Sequence, residues 1–181
     1  MLKKILIYNS GGGLGDAIQL FSLILSLKNH FKSGDFYYLG SHENHFLNKL
    51  KDFNVNIKTL DLSLKYFGFR WWHLFKVRSR FFKLNLEKFD LIIDLQSKLR
   101  NTLILKRIPS VNFYSSTFNY NFCSLKKDYL SNNNISQKTI LNLEKLLDVN
   151  IKKVDFSLDN LNQIYINEAK KLLPGSNYIG F

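Results

Sequence analysis

The sequence predicts an α/β fold: an open parallel β-sheet with helices on both faces. Three observations predict it. Short apolar runs bounded by turn residues alternate with helical patterns along the chain, which is the order of β-α-β units. The first run, Lys4–Tyr8, leads through a glycine cluster into an apolar helical stretch, the strand–loop–helix arrangement such units use. Hydrophobic residues make up 45% of 181 residues, with 16 Phe, enough to bury both faces of a sheet.

The elements follow in order. Lys4–Tyr8 reads as a buried strand because its apolar run stops at Asn9 and Ser10. Residues 16–31 read as one helix. Gln19, Ser22, Ser26 and Asn29 recur at three- and four-residue spacing and most of the rest is apolar, so the helix packs on the sheet. Asp35–Leu39 is a second strand, 43–53 a short helix, and Val55–Leu60 a third strand by its alternation. Residues 64–83 read as a long aromatic and basic helix with a candidate break at Gly68. Phe89–Leu95 is the fourth strand, 98–106 a helix ended near Pro109, and Val111–Tyr114 the fifth strand. Residues 115–134, rich in Asn and Ser, read as loop, and 135–147 and 161–173 as helices. Pro174-Gly175-Ser176 is a turn before the apolar run Tyr178–Phe181.

Composition removes several function classes. One Cys, Cys123, excludes a disulfide scaffold and a four-Cys zinc site, and it fits a reducing compartment. The apolar run after Lys3 and Lys4 is too short for a signal peptide. The stretch from Ala17 to Leu27 is broken by polar residues and too short to span a bilayer, so a cytoplasmic protein is expected. The net charge of +12 calls for an anionic partner: nucleic acid, a membrane surface, or phosphorylated or acidic small molecules. No recognisable nucleic-acid motif organises the basic residues. His42 and His45 have no third ligand in the pattern, so no metal is expected.

The glycine loop carries the chemistry. Ser10-Gly11-Gly12-Gly13-Leu14-Gly15-Asp16 lies where α/β sheets place ligands. No Lys follows the glycines, so it is not a phosphate-binding P-loop. The dinucleotide pattern G-x-G-x-x-G fits at Gly11 and Gly13 but meets Asp16 at its third position. An acid there opposes a pyrophosphate. The loop instead offers a carboxylate, suited to a general base that takes a proton from a bound hydroxyl. The same residue also reads as a helix cap.

Two segments carry a family resemblance. Lys4-Ile-Leu-Ile-Tyr followed by Gly13-Leu14-Gly15-Asp16-Ala17-Ile18, and Phe89-Asp90-Leu91-Ile92-Ile93-Asp94-Leu95-Gln96 followed by Leu99-Arg100-Asn101, resemble glycosyltransferase family 9, the ADP-heptose:lipopolysaccharide heptosyltransferases. The resemblance implies the N-terminal half of a GT-B fold, a Rossmann-like domain that holds the acceptor. It implies Asp16 as the general base of an inverting, metal-free transfer from a nucleotide-diphosphate sugar, ADP-heptose, to a lipopolysaccharide core. It implies acceptor-site roles for Gly12, Gly13, Gly15, Gln96 and Arg100. The sequence departs from the family pattern at Asn9 and Ser10, where a basic residue is usual, and at Ser97, where Gly is common. On this reading residues 1–155 are the acceptor-binding domain, 156–177 a linker helix and turn, and 178–181 the first strand of a donor-binding domain. The alternatives are a non-catalytic Rossmann-like module that binds a nucleotide or an anionic polymer, and a truncated inactive fragment.

Residues 66–83 add a second constellation. On a helical wheel, Arg70, His73, Lys76, Arg80 and Lys83 share one face, and Phe67, Trp71, Leu74, Phe75, Phe81 and Phe82 the other. That is the pattern of a peripheral element on an anionic membrane; the resemblance implies the inner face of a bacterial inner membrane. It is equally the pattern of a helix whose apolar side packs on the sheet. Arg78 falls on the apolar face, where a charge needs a partner or an anionic ligand. Arg70 lies beside Trp71, in the region where the resemblance implies arginines for an acidic, phosphorylated acceptor, and Arg70 and Arg78 are candidate acceptor contacts, since the guanidinium fork suits phosphate and carboxylate.

Overall fold

The computed structural model describes residues 2–10, 13–40, 43–53, 55–131, 134–154 and 163–172. The strands β1 (Lys4–Tyr8), β2 (Asp35–Leu39), β3 (Lys58–Thr59), β4 (Phe89–Asp94) and β5 (Ser110–Ser115) form one sheet in the order β3-β2-β1-β4-β5. Every pair is parallel. The chain builds outward from β1 to β3, then returns to the free side of β1 to lay down β4 and β5. That reversal makes a topological switch point between β1 and β4, at the carboxyl ends of the strands. Tyr8 stands opposite both Leu39 and Asp94, and Asp94 opposite Ser115. The loops after β1, β4 and β5 therefore leave the same edge of the sheet.

The helices are α1 (Leu14–Gln19), α2 (Phe21–His30), α3 (His73–Lys83), α4 (Leu99–Leu105), α5 (Thr117–Tyr120), α6 (Ile135–Leu147) and α7 (Gln163–Leu172). Helices α2 and α6 cover one face of the sheet, and α3 and α4 the other. Ile5 and Ile7 of β1 join Leu23 and Ile24 of α2 and Leu143 of α6 in one core. Leu6 and Tyr8 join Val77 and Phe81 of α3 and Ile104 of α4 in the other. This two-sided burial explains why β1 and β4 read as continuous apolar runs rather than alternating ones. The predicted α/β class, Rossmann-like with a parallel sheet, is the observed one.

Several boundaries differ from the sequence reading. The single helix expected over 16–31 is two, separated at Leu20, whose N–H bonds to Ala17 O at 3.1 Å in a tighter turn. The polar stripe of α2 is a clasp: Ser22 Oγ donates to Val154 O at 2.8 Å, and Val154 N donates to Ser26 Oγ at 2.8 Å. The helix expected over 43–53 is a run of turns ending in a single 3-10 turn (Lys51–Phe53). There Asn44 takes the Phe46 N–H at 3.1 Å and donates to Thr59 Oγ1 at 3.1 Å, a side-chain alternative to helical bonding. The helix expected over 64–83 starts only at His73. The candidate break is real: Gly68 has φ +86° and Tyr66 φ +53°, values no α-helix holds. Residues 155–162 and 173–181, which hold most of the expected linker and the expected final strand, lie outside the described residues.

Candidate functional site

The two segments that carry the family resemblance meet at the switch point. Asn9 and Ser10 extend β1; Gly13 then leads into α1, with Asp16 in its first turn. Asp16 is exposed. Its Oδ2 accepts the Gly13 N–H at 3.3 Å, the backward reach of an acid in the first helical turn. The carboxylate thus both caps α1 and faces outward. Tyr38, at the end of β2, donates to Asn9 O at 3.4 Å. Burial, and then the charge of Asp16, push its phenol up to about 12.

Gln96 ties the β4 end to the β1 end. Ser10 Oγ donates to Gln96 Oε1 at 2.6 Å, and Gln96 Nε2 donates to Asn9 Oδ1 at 2.5 Å. Beneath Gln96, the Asp94 side chain is fully buried. It accepts bonds from Thr102 Oγ1 at 2.6 Å, Ser115 Oγ at 2.8 Å and Gln96 N at 3.0 Å. Burial pushes its carboxyl upward, against those hydrogen bonds, which favour the ionised form. Asp94 therefore fastens α4, β5 and the Gln96 loop together. The next residue but two, Ser97, has φ +53°, which explains why glycine is the easier residue at this turn.

A third segment closes over this edge. Arg100, at the start of α4, donates from Nε to Gly68 O at 2.6 Å. Gly68 N donates to His73 Nδ1 at 3.2 Å, and Tyr8 Oη donates to Phe67 O at 3.4 Å. The sequence placed His73 on a solvated basic face; in the structure it is completely buried. Burial, then the positive charges of Arg70 and Arg100, hold its imidazole below the usual histidine range. It is a neutral pin whose Nδ1 accepts a bond.

Of the predicted site residues, Gly13, Gly15 and Asp16 follow the carboxyl end of β1, and Gln96 and Arg100 follow the carboxyl end of β4, at the same edge of the sheet. Arg70 is exposed in the turn before α3, close enough to share with Arg100 its effect on His73. Gly12 lies outside the described residues. Arg78 is not brought to this group. It is exposed, its guanidinium lies over the Phe82 ring at 5.7 Å, and it lines a shallow pocket with Lys106, Arg107, Pro109 and Ser110. That pocket is at the amino end of β5, the opposite edge of the sheet. The wheel set Arg78 on a buried face because Phe75 and Phe82 share its side, but that side faces solvent and the buried stripe of α3 is His73, Val77 and Phe81. The sequence reading missed Tyr8, Asn9, Ser10, Thr102 and Ser115 as parts of the site. Only Asn9 and Ser10 carried a local signal, by standing between a strand and the glycines.

The fold has a solved counterpart. It is similar to that of E. coli heptosyltransferase WaaC with ADP. The match has a TM-score of 0.58 at 12% sequence identity and covers 84% of this chain and 50% of that chain. The chain thus spans half the length of that protein. No family model and no curated protein matches the sequence.

Proposed function

We propose that this chain is the acceptor-binding half of an inverting GT-B glycosyltransferase, with Asp16 as general base. The observation that carries the reading is that Gln96, after β4, is hydrogen-bonded to Asn9 and Ser10, after β1, at the sheet's switch point, on the edge where Asp16 presents an outward-facing carboxylate. The likeness of fold to a heptosyltransferase over half that protein's length supports it. In this account the Asp16 carboxylate takes the proton of an acceptor hydroxyl. The freed oxygen attacks the anomeric carbon of a nucleotide-diphosphate sugar from the face opposite the leaving group. The bond to the nucleoside diphosphate breaks, the diphosphate leaves with the electron pair, and the configuration inverts. Arg100 and Arg70 supply positive charge for an anionic acceptor such as a phosphorylated lipopolysaccharide core. The donor, ADP-heptose in this reading, is held by a second domain across the cleft, and the first 155 residues hold the acceptor.

The test is transfer from ADP-heptose to a heptose-free lipopolysaccharide core, followed by mass, using the protein that carries this chain with its donor half. One heptose mass is gained if the reading is right; an unchanged core overturns it. Gly15 sharpens the test. A Cβ there would meet nothing within 4 Å, so packing does not require glycine in α1. Gly15→Ala is expected to raise stability by about 0.5–1 kcal/mol and to raise the acceptor KM, because the methyl would stand between the backbone and the bound sugar. Thermal melts and acceptor titrations check the two effects separately.

A further inference from the structure

We propose that the outer face of α3, with the turn before it, docks this domain onto an anionic lipid surface. Helix α3 has two apolar stripes. His73, Val77 and Phe81 are buried against the sheet. On the opposite side, Trp72, Phe75 and Phe82 face solvent, and Trp71 in the preceding turn does the same. Phe75 is 79% exposed, Trp71 54% and Phe82 53%. A helix that only packs on its sheet has no use for a second aromatic stripe, and exposed clusters of this kind mark interaction surfaces.

The charges around the stripe select the partner. Between Asp61 and Glu87 the chain carries six basic residues and no acid, half the net charge of the protein in 25 residues. The cations lie against the exposed rings: Lys76 Nζ is 5.0 Å from the Trp72 ring centroid, and Arg78 lies over Phe82 at 5.7 Å. Lys106 and Arg107 continue the positive surface beyond Arg78. Aromatic residues pointing outward, flanked by Lys and Arg, match the interface of an anionic leaflet. There rings enter the headgroup region and cations meet lipid phosphates. Among the described residues no helix is long and apolar enough to cross a membrane, so the contact is with the surface. The stripe begins beside Gly68, which Arg100 holds from α4; docking through it sets the switch-point edge next to the lipid headgroups.

The test is co-sedimentation of the chain with vesicles of phosphatidylcholine alone, or with a quarter phosphatidylglycerol. Binding is expected to the anionic vesicles, to weaken as salt rises, and to be small on the neutral ones. Phe75→Ser is expected to weaken binding about tenfold. The pair Lys76→Gln with Arg78→Gln is expected to weaken it about thirtyfold on anionic vesicles. Because all three positions are at the surface, circular dichroism should report an unchanged fold. Equal binding to both vesicles, no binding, or binding indifferent to Phe75→Ser overturns the proposal. So does a dimer in sedimentation that Phe75→Ser dissolves without any vesicle binding, which would assign the face to a second copy of the chain. Vesicle binding is read without a transfer assay, so its failure leaves the sugar-transfer reading standing, and the reverse holds.

Discussion

Replacing Asp16 with Asn is expected to lower sugar transfer by about a hundred- to ten-thousandfold while leaving the fold intact. The substitution keeps an oxygen that can take the Gly13 N–H, so the cap seen at 3.3 Å survives. It removes only the capacity to accept a proton. Asp16 is exposed at the surface, so no core contact is lost, and the stability change should stay below about 1 kcal/mol. A capping residue and a general base make opposite forecasts here. If Asp16 only caps α1, Asn serves as well and transfer continues at the original rate. If it is the base, kcat collapses with the melting temperature unchanged. Rate measurement beside a thermal melt separates the two.

Gly68→Ala is the largest expected effect on the fold, a loss of about 2–4 kcal/mol. Two costs combine. Gly68 sits at φ +86°, where a Cβ is strained. The added carbon would also collide with Tyr8 Oη and stand 2.8 Å from Asn101 Oδ1, and both side chains are buried. Neither can swing away without opening the core between α4 and the sheet. The damage should reach function as well, because Gly68 O holds Arg100 and Gly68 N holds His73. Acceptor binding is expected to weaken even below the melting temperature. Denaturant unfolding gives the first quantity and an acceptor titration the second. A variant as stable as the original would remove Gly68 from its place as the pivot of this edge.

What could be read from the sequence followed the physics of periodicity. Strands buried on both faces announce themselves as short apolar runs, so β1, β2, β4 and β5 were legible within one residue or so at each end. Helix limits were harder. Side-chain competition at Asn44 and the left-handed turns at Tyr66 and Gly68 interrupt stretches whose residues all tolerate helix. A wheel over this stretch takes the side of Phe75 and Phe82, which face solvent, as the buried side of α3. It therefore set His73 in solvent and Arg78 among apolar residues. The candidate site is legible in the sequence only where its motifs are local, as at Gly13–Asp16 and Gln96–Arg100. It was not legible where partners come from distant segments. Nothing near Ser10 in the chain announces Gln96 as its partner, and nothing near Asp94 announces Ser115; only the parallel register of β1, β4 and β5 brings them together.

The proposed function places the acceptor on the switch-point edge of this sheet. Its most direct test is amide chemical-shift mapping of the nitrogen-15-labelled chain titrated with a phosphorylated, lipid-free core oligosaccharide. Shifts are expected to concentrate at Gly13–Asp16, Gln96–Arg100 and Gly68–Arg70 and to saturate together. Shifts confined to the basic pocket of Arg78, Lys106 and Arg107, or absent from the switch point at saturating oligosaccharide, would contradict it.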